Sequence, residues 1–158
     1  MARARKRGGL LEIDGANPLQ IRFGKDIQPA RAVIQSADGT WRLERVDRTE
    51  TAVLDASGAA IASVDYATRP QHVVLAPGER IPFTVRGLFA FRRYRLGEDL
   101  FVAAAALVPF REFTARISPE LAARPDRALL IGLASAFTHW HIGAKSSVPS
   151  SSDRTYYQ

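Results

Sequence analysis

Short runs in which apolar and polar residues alternate fill most of the chain. In the last of these runs, Phe113, Ala115 and Ile117 alternate with polar or charged residues, a pattern typical of a strand with one buried and one solvated face. Turn residues such as Ser57-Gly58 separate the runs, so successive runs are predicted to pair as antiparallel hairpins. About eleven strands are predicted, over residues 10–14, 20–24, 31–36, 41–46, 50–54, 60–64, 72–75, 83–86, 88–96, 100–108 and 112–117.

One run in this series has two interpretations. Residues 100–108 include four consecutive alanines and show no alternation, which fits a strand that is covered on both faces. Alanine is also the best helix former, so a helix remains the alternative. The sequence leaves this choice open.

The pattern changes after residue 117. Ser118, Pro119 and Glu120 predict the N-cap and first turn of a short helix that Pro125 ends. Residues 128–144 then contain no acid, Lys or Arg, which predicts a helix that is apolar on every side, with Gly143 as its expected end. At about 1.5 Å per residue this stretch spans roughly 25 Å, less than the ~20 residues that a transmembrane helix needs. We therefore expect protein, not lipid, to surround it.

A strand series followed by an apolar helix predicts a fold. Side chains fill an eight-stranded barrel, whereas a barrel of the eleven-strand class has room for a helix along its axis. We expect a mainly β protein: an antiparallel closed barrel of about 11–12 strands around a central apolar C-terminal helix. The predicted core residues of that helix include Leu129, Leu130, Leu133, Phe137 and Trp140.

Length and composition limit the domain organisation. A chain of 158 residues with 46% hydrophobic content fits one domain. The predicted division is a basic flexible arm over 1–9, a single barrel domain over 10–145 and a disordered tail over 146–158. The chain has no Cys, so it forms no disulfide or thiolate zinc site, and its start lacks the apolar segment of a secretory signal. We expect a cytoplasmic protein that is not transmembrane and that is either free or peripheral at a membrane surface.

A net charge of +6 favours anionic partners. The stretch 86–95 interleaves aromatic residues with arginines, which could form a basic patch on one wall. The alternative is an ordinary solvated strand face whose charges oppose edge pairing. The candidate anion-binding residues are Arg86, Arg92, Arg93, Arg95 and Arg111.

Catalytic and metal-binding motifs are absent from the sequence. It holds no nucleophile elbow, phosphate-binding Gly loop or dinucleotide fingerprint. His139 and His141 lie two residues apart, and on a helix such residues point in different directions, so they are not expected to share an ion. We expect no enzyme activity, cofactor or metal.

The strand–Gly turn–strand unit VLDASGAAIA over 53–62 and the helix opening PDRALLIGLA over 125–134 resemble the tubby C-terminal-like superfamily. That superfamily includes tubby domains, phospholipid scramblases and LURP-one-related proteins, and the short LURP-one-related members are the most similar in pattern. The resemblance implies a barrel around a central helix. The cysteine-rich and acidic metal-binding segments of scramblases are missing here, so lipid scrambling does not transfer. Tubby domains bind phosphoinositides through paired basic residues, which Arg92, Arg93 and Arg95 match without a Lys.

These observations favour a non-catalytic binding or tethering module, with an anionic phospholipid or a protein as the partner and nucleic acid as the weaker candidate. One alternative is a structural subunit of a larger assembly. Another is a small-molecule binder that uses the barrel mouth near Trp140. The sequence leaves the oligomeric state open.

Overall fold

The alternating runs form the wall of a closed antiparallel barrel. The computed structural model describes residues 1–7, 9–15, 18–23, 32–76, 78–87, 92–105 and 113–146. Its strands are β1 Ala2–Arg7, β2 Leu10–Asp14, β3 Leu19–Arg22, β4 Val33–Ser36, β5 Gly39–Arg45, β6 Glu50–Leu54, β7 Ala60–Asp65, β8 Gln71–Leu75, β9 Glu79–Arg86, β10 Arg93–Leu96, β11 Phe101–Ala105 and β12 Phe113–Ile117. The helices are α1 Pro119–Ala122 and α2 Arg127–Ser146.

Each strand pairs with its neighbours in sequence, and β1 pairs with β12 to complete the ring. Alternate residues along the strands point inward, and most of these are buried, as in β12, where Phe113 and Ala115 are buried while Thr114 and Arg116 are exposed. This alternation is what period-2 patterning dictates for a sheet with one dry face. The predicted mainly β fold, antiparallel and closed, is confirmed.

Tight turns connect many of the strands. Gly58 and Gly97 have φ angles of 88° and 61°, a region that residues with a Cβ rarely adopt. Gly58 lies between β6 and β7, where Asp55 accepts hydrogen bonds from the backbone N–H groups of Ser57 and Ala59. The Ser57 hydroxyl also donates a hydrogen bond to Asp55. This bond is the largest cause of a pKa of Asp55 below its usual value, and the backbone bonds lower that pKa further.

The ambiguous run 100–108 contains a strand. In β11, Phe101 and Ala103 are buried and Ala104 is exposed, so this strand has an ordinary inner and outer face. The expectation of a strand covered on both faces is wrong, because an outward alanine has the same hydropathy as an inward one and hides the alternation. Residues 106–108 lie outside the described part of the chain.

The prediction of a basic flexible arm over 1–9 is wrong for Ala2–Arg7, which form β1. This strand pairs with β12 on one side and β2 on the other. Ala2 and Ala4 are buried, while Arg3 and Arg5 are exposed. The small inward alanines and the outward arginines give β1 the same two faces as the other strands. With β1 the barrel has twelve strands, within the predicted 11–12.

Helix α1 begins as predicted. Ser118 is its N-cap and accepts a hydrogen bond from the Leu121 backbone N–H at 3.0 Å, with Pro119 in the first turn. Helix α2 follows after Asp126, but it ends at Ser146 and not at the expected Gly143. A glycine permits a helix end without forcing one, since its cost inside a helix is only about 1 kcal/mol. Ser146 therefore belongs to α2, and the rest of the predicted tail, 147–158, lies outside the described residues.

Residues 128–139 of α2 are buried without interruption. Among the predicted core residues, Leu129, Leu130, Leu133 and Phe137 are buried and Trp140 is half-buried. The helix contacts β3 and β4 as well as β10 and β11. In the described part of the chain, neither helix has the length and apolar character needed to cross a membrane.

The corner between α1 and α2 is tied to the barrel by Arg124. Its guanidinium donates two hydrogen bonds to the Glu79 carboxylate, at 2.9 and 2.7 Å, and two more to Asp126. These bonds raise the pKa of Arg124, the bond to Glu79 being the largest cause, and Arg124 in turn lowers the pKa of Glu79. A planar guanidinium that bridges two carboxylates fixes the position at which α2 starts.

Candidate anion-binding site

Two of the predicted anion-binding residues face each other across the sheet. Arg86 ends β9 and Arg93 begins β10, and the register places them directly opposite one another. Both side chains are exposed. Directly opposite residues have Cβ atoms about 5 Å apart, and like charges at this spacing destabilise the pair. Strand pairing therefore concentrates positive charge here at a cost in stability.

No described carboxylate lies within ion-pair distance of Arg86 or Arg93. Some described arginines do form ion pairs: Arg80 contacts Asp65 at 2.8 Å, and Arg124 contacts Glu79 at 2.7 Å. Guanidinium groups have N–H donors in a geometry that matches the oxygens of a phosphate or carboxylate. We call Arg86, Arg92 and Arg93 the arginine patch.

Arg92 joins the patch from the start of β10 and is half-buried. Its neighbour Tyr94 points inward, and its ring lies against His141 of α2 with centroids 5.3 Å apart. Burial raises the pKa of Tyr94, while a hydrogen bond and the charge of Arg92 act in the opposite direction. Arg86 and Arg93 therefore lie on the outer face of the β9–β10 hairpin, whereas Arg92 is beside the inward Tyr94 at the rim of the same end.

Two predicted residues are not part of this patch. Arg95 forms an ion pair with Asp99 at 3.5 Å, and Asp99 has a φ of 66° in the turn after β10. The Nε atom of Arg95 is buried and has no hydrogen-bond partner among the described residues. Arg95 thus serves the β10–β11 turn. Arg111 lies outside the described part of the chain.

The histidines lie apart from one another. The ring of His139 packs on Phe23 beside β3, with centroids 5.1 Å apart, whereas His141 packs on Tyr94 of β10. His72 contacts the Thr68 hydroxyl through Nδ1 at 3.0 Å. Within the described residues, no group of three or more His, Cys, Asp or Glu side chains is arranged to hold a metal ion.

A second surface feature was not predicted. The outer face of β1–β4 carries a concavity of about 540 Å³. Arg5, Glu12, Gln20 and Gln35 form a continuous row along it, because each is directly opposite the next in the strand register. Its mixed charges distinguish it from the arginine patch.

Two further arginines, which were not among the predicted site residues, lie at the same end of the barrel as the patch. Arg48 lies between β5 and β6, and Arg69 lies between β7 and β8; both are exposed. In an up-and-down barrel, alternate connections lie at the same end, and the connection between β9 and β10 shares this end with both. The order of the strands contains the signal for this grouping, whereas a run of arginines indicates only residues that are close together in sequence.

No protein-family model, curated protein or solved structure matches this chain. What is established is the class: a closed antiparallel barrel of twelve strands with a C-terminal helix.

Proposed function

We propose that the protein is a tubby-like barrel in which α2 lies inside the closed sheet, and that it acts as a non-catalytic module that binds or tethers an anionic partner. The burial of 128–139 on every side supports the position of the helix. Its contacts support it too, because β4 and β10 lie half-way round the ring from each other and α2 contacts both.

The size of the barrel agrees with this position. A strand spacing of ~4.8 Å and a tilt of ~40° give a twelve-stranded barrel a radius of about 12 Å. A helix with its side chains has a radius of about 5–6 Å. The remaining space, about 6 Å on each side, fits the inward side chains of the wall.

The Arg86–Arg93 pair is the observation on which the proposed binding function depends. Strand pairing places the two arginines directly opposite each other, and no described acid forms an ion pair with either. An anionic phospholipid surface supplies phosphate oxygens for these guanidinium groups and attracts the net positive charge of the chain. A protein with an acidic surface could engage the same arginines, so the test uses lipid with no other protein present.

Flotation of the purified protein with vesicles tests the lipid. We expect it to float with vesicles rich in phosphatidylserine, to stay behind with phosphatidylcholine alone, and to detach as salt is raised because the attraction is screened. Arg86→Gln combined with Arg93→Gln should weaken binding at least tenfold, since each basic residue near an anionic surface contributes roughly fivefold.

The matched control is Arg5→Gln combined with Arg42→Gln, which removes the same charge from exposed positions on β1 and β5. This control should bind almost as well as the unaltered protein. Equal binding by both double variants would show that net charge, and not the arginine patch, governs association. Failure of the unaltered protein to float at low salt would reject an anionic membrane as the partner.

A further inference from the structure

The two ends of the barrel carry opposite charge. We define an end as the connections that meet there together with the adjoining terminal residue of each strand. The end at which β9 passes to β10 is the basic end. Its described acids are Asp47, Glu50 and Asp65. The arginines at this end whose side chains the structure describes are Arg22, Arg45, Arg48, Arg69, Arg86, Arg92 and Arg93.

The other end, at which α2 begins, is the acidic end. Two arginines lie there, and both are paired with acids: Arg124 with Glu79 and Asp126, and Arg127 with Asp38 at 3.6 Å. The acids at this end among the described residues are Asp14, Asp38, Asp55, Glu79, Glu98, Asp99, Glu120 and Asp126.

The dipole of α2 explains part of this polarity. Acids are favoured at the N-terminus of a helix and cations at its C-terminus, and α2 runs from the acidic end toward the basic end. The effect extends only over the first and last turns of a helix, whereas the wall of the barrel is about 12 Å from its axis. Asp126 next to α2 fits this explanation. The helix dipole does not explain arginines in the connections between strands, such as Arg48 and Arg69.

The length of the barrel separates the two fields. Strands of five residues span about 17 Å, or about 13 Å along the axis when tilted. This exceeds the screening length of ~8 Å at physiological salt. A flat anionic surface that touches the basic end is therefore attracted by its arginines and is scarcely repelled by the acids beyond. A surface that touches the wall meets charges of both signs, including Glu12 and Glu44.

We propose that the protein docks end-on on an anionic bilayer, with its basic end against the lipid headgroups and its acidic end directed away. This inference rests on the proposed function and adds an orientation to it. The orientation also gives a role to Arg48 and Arg69. These two arginines lie in different connections from the arginine patch, so they and the patch can touch one flat surface together only if the barrel docks end-on.

Single cysteines can test the orientation because the chain has none of its own. Ala67, Ser63 and Ala56 lie at the basic end, on β7 and at the acidic end, respectively. Each is replaced in turn by Cys, labelled with a fluorescent donor and mixed with phosphatidylserine vesicles that carry an acceptor on their headgroups. We expect quenching to be strongest at Ala67→Cys, weaker at Ser63→Cys and weakest at Ala56→Cys.

The outcomes separate the two proposals. Flotation without any quenching order, or with the strongest quenching at position 63 or 56, would overturn end-on docking and leave lipid binding in place. Absence of flotation would overturn both. Thermal melting of each labelled protein confirms that the barrel is intact before binding is measured.

A second set of variants tests the contact itself. Arg48→Gln combined with Arg69→Gln should weaken flotation at least tenfold, by the same roughly fivefold for each charge. The wall control Arg5→Gln combined with Arg42→Gln should leave flotation almost unchanged. Binding that responds to Arg86 and Arg93 but not to Arg48 and Arg69 would indicate a contact through one wall and contradict the end-on arrangement.

Discussion

Gly132 in α2 faces Ile34 of β4 with no room for a side chain. A Cβ at this glycine would lie 2.6 Å from Cγ2 of Ile34, which is itself fully buried. Extra carbon atoms in a packed core cost about 1–3 kcal/mol, and alanine returns about 1 kcal/mol through its higher helix propensity. Size, not backbone freedom, therefore determines which residue fits here.

We expect Gly132→Val to lower the free energy of unfolding by about 3 kcal/mol, because valine adds the steric cost without the helix propensity of alanine. Urea unfolding measures the change. Combination with Ile34→Ala should recover at least about 1 kcal/mol relative to the sum of the single variants, as expected for residues in contact. Ala104→Val, on the exposed face of β11, is the control and should change stability by less than about 0.5 kcal/mol. Additive effects at positions 132 and 34 would contradict the close approach.

At the scale of elements, the Arg124 bridge joins the α1–α2 corner to β9. Its bonds to Glu79 lower the pKa of that carboxyl group, so their contribution is present above the ordinary Glu pKa and is lost as pH falls through the lowered one. Glu79→Gln should reduce stability at pH 7 by about 1 kcal/mol, a modest value because Glu79 is half exposed.

The difference in stability between Glu79→Gln and the unaltered protein should shrink as the pH falls below the ordinary Glu pKa of about 4.3 and should disappear once the native carboxylate, with its lowered pKa, is protonated as well. Chemical unfolding at a series of pH values measures this difference. Replacement of the arginine by Arg124→Lys should not preserve the bridge, because an ammonium group cannot form paired bonds to two carboxylates. A difference that is independent of pH would show that Glu79 contributes by packing and not by charge.

Most strands were predictable because inward and outward residues differ in hydropathy. The same difference drives the strands to form. Where that contrast fades, prediction fails. In β1 the inward residues are Ala2 and Ala4, whose weak β propensity and small size concealed a regular alternation with arginines. In β11 an outward alanine had the same effect. The N-cap at Ser118 was predicted correctly because its hydrogen bond depends only on residues within one turn.

At the scale of the whole molecule, closure depends on β1, which pairs with both β2 and β12. Deletion of residues 1–7 should leave the unpaired edges of β2 and β12 exposed and should uncover inward side chains such as Leu11 and Phe113. We expect a protein that aggregates or that melts without cooperativity. Size-exclusion chromatography and thermal melting measure these outcomes; a monomer with an unchanged melting temperature would contradict the closed barrel.

The candidate site was partly predictable for a topological reason. Arg86 and Arg93 are close in sequence, so a hairpin brings them together, and the run of arginines indicated it. Arg48 and Arg69 reach the same end of the barrel only because successive connections alternate between ends. That grouping requires the correct identification of every strand between them, and no local pattern contains it.

Closure of the ring also sets an order of events during synthesis. One side of β1 finds its partner β2 within a few residues, but the other side pairs with β12, whose last residue is Ile117. A ribosome must therefore release most of the chain before the first strand can complete its hydrogen bonds. We expect the nascent protein to carry one open seam until β12 has emerged, with β1 among the last segments to become fully protected.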